Sequence, residues 1–169
     1  MSAGVLTAQF STEGDPISAA IRYFTDSDIS HVDLVVPRYL LRGPVCDALT
    51  VKGYNYALLG ARFNGGVQAR SPHYAKFTKI VQLKVAMPNV EAAYAFALAQ
   101  IGKPYNKGAI LDFVLHRRRK YSPRQARWFC DELLYAVCTA GGTLLLDTDN
   151  PLDLTPKEVM LSPKWEPVR

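Results

Sequence analysis

Cys130 has the sequence surroundings of a catalytic nucleophile. It lies in residues 127–137, "RWFCDELLYAV", between two aromatic residues and an acidic pair, where the apolar pattern of a helix begins. The unpaired N–H groups and the dipole at a helix N-terminus favour a thiolate, and the same N–H groups can hold an oxyanion. Asp131 and Glu132 act against the thiolate, although carboxylates are also common caps of a first helical turn. The alternative is a buried thiol that only packs.

A nucleophilic cysteine needs a base, usually a histidine that the fold brings close. His116 lies in the basic run "HRRRK" and His73 in the turn segment "SPHYAKF", and both positions are typical of surface residues. His31 opens the β-branched segment "HVDLVVP", so a rigid strand can present it at the edge of a sheet. His31 is therefore the candidate base, and a structural histidine is the alternative.

The elements around these residues indicate one α+β domain over residues 1–169. Asp15 and Pro16 form an N-cap and first-position pair for a helix, and Asn89 caps another helix that ends at Gly102. Periodicity and alternation predict helices over 16–25, 90–101, 107–115 and 128–142, a helix start in "TPKEVML", and strands over 31–37, 54–63, 67–71 and 79–87. On the first strand, His31, Asp33 and Val35 share one face. No strand is predicted before residue 16.

Composition excludes several classes of protein. Hydrophobic residues make up 49% of the chain and charged residues 21%, as in a soluble globular domain. The first residues lack a secretory signal and no segment is long enough to span a bilayer, so we expect a cytoplasmic protein. Three cysteines, at 46, 130 and 138, fit reduced thiols, and their spacing predicts no metal site. Arg117, Arg118 and Arg119 form either a solvated loop or a weak site for an anionic partner.

The order of several short motifs carries a resemblance to a known family. The motifs are "AIRYFTDSDISHVDLVV", then "GA" and "GGVQ", "GKPYN", "WFCDELL" and "PKEVMLSP", over about residues 16–164. In this order the chain resembles the circularly permuted NlpC-type, papain-like cysteine hydrolases of the YiiX/YaeF-like branch. The resemblance implies an antiparallel sheet packed against helices, with the nucleophile at the N-terminus of a helix.

The resemblance also implies roles for individual residues. Cys130 matches the nucleophile and His31 the histidine that activates it, without a metal or organic cofactor. Substrates of the family range over peptides, peptidoglycan-type amides and acyl esters. The polar residue that orients the histidine in the family falls here at Gly60, which has no side chain, so either Asp33 or Gln68 substitutes for it or the site works as a Cys–His dyad.

Two aromatic residues are candidates for the substrate groove. Tyr105, in the family segment "GKPYN", either lines the groove or packs a tight turn, and Trp128 either lines it or anchors the start of the cysteine helix.

Two functions follow for the chain as a whole. The first is a cysteine hydrolase that cleaves an amide, ester or thioester through an acyl-enzyme. The second is a catalytically degenerate module of the same fold that holds a peptide, lipid or nucleic acid.

Overall fold

A single six-stranded antiparallel sheet organises the protein. The computed structural model describes residues 2–41, 53–108, 126–148 and 154–168. The sheet has the order β4-β3-β2-β1-β5-β6, and every neighbouring pair of strands is antiparallel. The strands are β1 (Gly4–Glu13), β2 (His31–Pro37), β3 (Tyr56–Arg62), β4 (Gly66–Arg70), β5 (Phe77–Met87) and β6 (Glu166–Pro167). The helices are α1 (Pro16–Thr25), α2 (Val90–Ala99), α3 (Cys130–Ala140) and α4 (Pro156–Met160).

Most of the elements predicted from the sequence are present. The Asp15 side chain accepts hydrogen bonds from two N–H groups of the first turn of α1, and Asn89 does the same for one N–H of α2. The helix predicted over 128–142 begins at Cys130. The sheet and these helices confirm the α+β prediction. The helix predicted over 107–115 and the three arginines at 117–119 fall largely or wholly outside the described residues.

Strand β1, which precedes the first predicted helix, was not predicted from the sequence. Strand β1 lies inside the sheet, where it pairs with β2 on one side and along the whole of β5 on the other. Its Leu6, Ala8 and Phe10 alternate with polar residues and are fully buried. This alternation is the ordinary signal of a strand that is apolar on one face.

The two faces of the sheet differ in chemistry. Val32, Leu34 and Leu59 lie on the face that packs against α3, where they surround a small void together with apolar residues of that helix. The opposite face carries polar residues that are nevertheless buried. Cross-strand pairing sets Gln9 beside Asp33 and Ser11 beside His31, and all four residues are less than 9% exposed. Burial without solvent requires polar groups to find partners within the protein.

Strands β2 and β3 are paired over only part of their length. Their register runs from Leu34 opposite Leu59 to Pro37 opposite Tyr56. The next residues along the two strands, Asp33 and Gly60, are not part of this ladder. Asp33 and Gly60 thus lie just beyond the last residue pair of the ladder, near the start of β2.

Among the described residues, no helix is both long and apolar enough to cross a membrane.

Candidate active site

Cys130 is held at the first position of α3 by the capping of that helix. Phe129 precedes it in an extended conformation, and the Phe129 N–H donates to Oε2 of Glu132 at 3.0 Å. Oδ1 of Asp131 accepts from the N–H of Glu132 at 2.8 Å. The acidic pair thus caps the first turn, which satisfies N–H groups that have no partner within the helix. The side chain of Cys130 is fixed at the dipole's positive end, with the residue only 2% exposed.

Electrostatics at the Cys130 thiol favour its protonated form. Burial raises the pKa of the thiol well above its usual range, and the carboxylates of Asp131 and Asp33 raise it further. The backbone groups of Val32 and Asp131 hydrogen-bond to the sulfur and act in the opposite direction. The expected stabilisation of a thiolate at the helix N-terminus is thus outweighed, because loss of solvation costs a charged group more than the dipole returns.

His31 is oriented by Asp33, two residues further along β2. Nε2 of His31 lies 3.0 Å from Oδ1 of Asp33, and both residues are buried. An ionised carboxylate only accepts hydrogen bonds, so this contact assigns the proton to Nε2 and leaves the lone pair on Nδ1. Burial would raise the pKa of the Asp33 carboxyl, but the charge and hydrogen bond of His31, the Tyr74 hydroxyl and the charge of Arg70 outweigh it, and the pKa is lowered.

The absence of a side chain at Gly60 is what makes room for Asp33. A Cβ added to Gly60 would lie 2.0 Å from Oδ1 of Asp33 and 3.2 Å from the carbonyl oxygen of Val32. The carboxylate therefore occupies the space that a side chain at residue 60 would fill. Gln68, the other candidate for orienting the histidine, is exposed, and its amide lies against Gly65 in the hairpin turn.

Asp33 is itself held by a chain of polar groups that the sequence analysis missed. The Tyr74 hydroxyl donates to Oδ2 of Asp33 at 2.7 Å, and Nη1 of Arg62 donates to the Tyr74 oxygen at 2.7 Å. Arg62 in turn forms a two-pronged ion pair with Glu13, in which Nη2 lies 2.7 Å from Oε2. The only signal in the sequence was an arginine and a glutamate at strand ends, which is too common to identify a site.

A cleft of about 380 Å³ opens at this end of the sheet. His31, Arg62 and Tyr105 line it, together with residues of α1 and of the turn between β3 and β4. Cys130 is not among the lining residues. In the parts of the chain that the structure describes, no hydrogen bond joins Cys130 to His31. The thiol instead lies against the backbone of Val32, the residue that follows the histidine.

The two aromatic groove candidates have different positions. Tyr105 lines the cleft, and burial followed by the charges of Cys130, Asp131 and Glu132 raises the pKa of its hydroxyl. Trp128 is fully buried, and its Nε1 donates to Oε1 of Gln100 at 3.1 Å, so a role in the groove is not supported. Backbone hydrogen bonds link the two segments: the Asn106 N–H donates to the Trp128 carbonyl at 2.9 Å, and the Trp128 N–H to the Pro104 carbonyl at 3.2 Å.

The fold is similar to that of a solved protein. A crystal structure of the metalloprotein YiiX from Escherichia coli O157:H7 superposes with a TM-score of 0.58 and 17% sequence identity. The match covers 98% of this chain and 96% of that chain. The fold is YiiX-like. No protein-family model matches the sequence, and no curated protein matches it either. The likeness extends over nearly the whole of both chains and is a likeness of fold.

Proposed function

We propose that the protein is a cysteine hydrolase in which Cys130 is the nucleophile and His31 the general base. The observation that carries the proposal is the His31–Asp33 contact of 3.0 Å, which leaves Nδ1 of the histidine as a proton acceptor. The backbone of Val32, the residue after His31, contacts the Cys130 sulfur. Thiol hydrolysis requires an oriented histidine together with a cysteine of this kind at a helix N-terminus. A likeness in fold to YiiX over nearly the whole chain is compatible with it.

The chemical steps follow from these positions. Nδ1 of His31 removes the thiol proton as the sulfur attacks the substrate carbonyl, and the imidazolium then protonates the leaving group. The backbone N–H of Cys130 and the Tyr105 hydroxyl are the donors for the tetrahedral oxyanion. The neutral imidazole next activates a water molecule, which releases the acid and regenerates the thiol. Asp33 stays ionised and stabilises the imidazolium whenever it forms.

The raised pKa of the Cys130 thiol shapes the proposed mechanism. The resting thiol is protonated, so the proton moves to His31 in the presence of substrate rather than beforehand. Because Cys130 is 2% exposed, substrate must also widen the cleft at the Tyr105 side before it reaches the sulfur. The candidate substrates are small peptides, peptidoglycan-type amides, and acyl esters or thioesters, since all of them present a carbonyl to the same nucleophile.

A metal has no part in the proposed steps, although the structural neighbour is described as a metalloprotein. Across the described ranges, no three or more His, Cys, Asp or Glu side chains form a group able to hold a metal ion. The nearest pair, His31 and Asp33, use their polar atoms on each other, and the second oxygen of Asp33 is bonded to Tyr74. These residues fit an orienting contact better than a ligand set.

A second candidate function is a binding module on the same fold. The protonated, buried thiol of Cys130, which has no hydrogen bond to His31 in the described structure, favours this alternative. Such a module would hold a peptide, lipid or nucleic acid in the cleft or at Arg117, Arg118 and Arg119. The orienting contact of Asp33 is then only a structural ion pair.

An experiment with single-thiol variants separates the two functions. One variant keeps Cys130 alone (Cys46→Ala, Cys138→Ala), and its matched control keeps Cys138 alone, which is buried in the same helix. Each is incubated with fluorogenic acyl esters, thioesters and peptide amides, and mass spectrometry detects acylation. We expect a Cys130-bound acyl group and turnover that His31→Ala abolishes. Unchanged turnover in His31→Ala, or acylation of the Cys138-only control at the same rate, contradicts the hydrolase.

A further inference from the structure

The two oxygens of the Asp33 carboxylate have different hydrogen-bond partners. Oδ1 faces Nε2 of His31 at 3.0 Å, and Oδ2 accepts the Tyr74 hydroxyl at 2.7 Å. With both oxygens bonded, the carboxylate has one orientation available between β2 and β3. A carboxylate that is bonded through one oxygen alone can rotate about its side-chain torsion, and its contact with the imidazole then lengthens.

Tyr74 is fixed on its other side by a charged group that belongs to the sheet. Arg62, at the end of β3, donates to the Tyr74 oxygen at 2.7 Å, and its guanidinium lies 4.7 Å from the centre of the Tyr74 ring. The bidentate ion pair with Glu13, at the end of β1, holds the planar guanidinium of Arg62 in place. A donor to the phenol oxygen also strengthens the hydrogen bond that the phenol donates onwards.

We propose that Tyr74, anchored by Arg62 and Glu13, is a positioning residue that sets the orientation of Asp33 and, through it, of His31. This inference rests on the proposed function, because it assigns a task in the reaction of the same site. Tyr74 acts through Asp33 and does not contact the reacting atoms. The same chain runs from the cleft wall, which Glu13 and Arg62 line, back to the histidine.

The charged and titratable groups around Asp33 come from every element that packs against it. His31 lies on β2, Arg62 on β3 and Arg70 on β4, while Gln9 of β1 is its neutral cross-strand neighbour. Tyr74 approaches from the loop after β4, and Cys130 from α3. Arg70 donates to the carbonyls of Gly60 and Gly66 rather than to the carboxylate, so it contributes charge without orienting Asp33.

Removing the Tyr74 hydroxyl therefore changes one measurable property of the site in a defined direction. Burial would raise the pKa of Asp33, and the Tyr74 hydrogen bond is among the contacts that lower it overall. In Tyr74→Phe, the carboxylate loses that contact and protonates at a higher pH. A carbon NMR titration of the Asp33 carboxyl measures this change in its pKa directly.

The test uses Tyr74→Phe in the full chain, with Tyr94→Phe as the matched control. The Tyr94 hydroxyl makes a long contact of 3.4 Å to the Val35 carbonyl and none to Asp33. We expect Tyr74→Phe to lower kcat about tenfold, with KM within about twofold, because one hydrogen bond to a charged group is lost. The Asp33 carboxyl protonates at higher pH in Tyr74→Phe, and Tyr94→Phe matches the wild type. An unchanged Asp33 protonation and an unchanged kcat, with only thermal stability reduced, overturn the proposal.

A readout that needs no turnover separates this inference from the proposed function. The proton on Nε2 of His31 gives a downfield proton NMR signal when it is held by a buried carboxylate. We expect this signal to broaden or move in Tyr74→Phe and to change less in Arg62→Lys, which keeps the charge but loses the fork. If the signal responds in this way while the wild type shows no hydrolysis, the proposed function fails and the positioning chain stands. If the signal is identical in all variants, Tyr74 is not a positioning residue. If Tyr74→Phe does not fold, the signal of Arg62→Lys alone decides whether Tyr74 positions Asp33.

Discussion

Replacement of Gly60 by alanine is the sharpest perturbation of the candidate site. The added methyl carbon would lie 2.0 Å from Oδ1 of Asp33, whereas ordinary contacts begin at 3.4 Å. The carboxylate must retreat by more than an ångström, and the added carbon would also lie 3.2 Å from the carbonyl oxygen of Val32. The His31–Asp33 contact of 3.0 Å then exceeds hydrogen-bond range. Gly60 is not in a left-handed conformation, so the backbone itself accepts alanine.

The expected magnitude combines two opposing effects. Loss of a buried hydrogen bond to a charged group costs roughly 1.5–3 kcal/mol. Removing a glycine from the unfolded chain returns about 0.4–1 kcal/mol. The net loss of about 1–2 kcal/mol lowers the melting temperature by a few degrees in a domain of this size. Because the orientation of His31 is lost as well, we expect hydrolysis to fall by about 10- to 100-fold.

The assay compares the melting temperature and the hydrolysis rate of Gly60→Ala with those of Gly14→Ala. Gly14 has no atom within 4 Å of an added Cβ, and its backbone is also outside the left-handed region, so it controls for the glycine effect alone. Full activity in Gly60→Ala would refute the reasoning, since Asp33 would then be free to move without consequence for His31. A crystal structure of that variant with Asp33 unmoved would refute the geometry itself.

Two further predictions concern stability. Because the pKa of Asp33 is lowered in the folded protein, its contribution is present above the ordinary value of 3.8 and is lost as the pH falls below it. The difference in urea stability between wild type and Asp33→Asn should therefore be constant near neutral pH and shrink towards pH 3, whereas a pH-independent difference contradicts the assignment. Asp15→Ala removes the acceptor of the N–H groups of Ile17 and Ser18, so we expect a loss of about 1 kcal/mol in urea denaturation, with Asp15→Ser largely neutral.

The sequence predicted elements whose signal is local. Helix α1 begins at an N-cap and a proline, and α3 begins where an apolar pattern follows two aromatics, so neither depends on distant residues. Strand β1 shows the same alternation as β2 but was not predicted from the sequence. The burial of its polar residues depends on β2 and β5 pairing on both sides, which no local pattern reveals. The short β6 has too few residues for any pattern.

In the candidate site, too, the features predicted from the sequence are those that depend on local patterns. Cys130, His31 and Asp33 were accessible because a helix start and a strand start are readable, and because residues two apart share a strand face. The sequence could not predict that the Asp33 carboxylate occupies the space beside Gly60. This contact depends on the register of β2 and β3 and on where their pairing ends. Tyr74, Arg62 and Glu13 come from three separate segments. Their meeting is set by the whole sheet.

The place of β1 inside the sheet has a consequence for synthesis of the protein. Strands β1 to β4 can form their ladders early, but the second side of β1 stays unpaired until Phe77–Met87 has left the ribosome. During that interval β1 is an edge strand with a row of free N–H and C=O groups, which is a template for aggregation between nascent chains. Expression conditions that slow elongation through residues 66–87 should therefore lower the soluble yield.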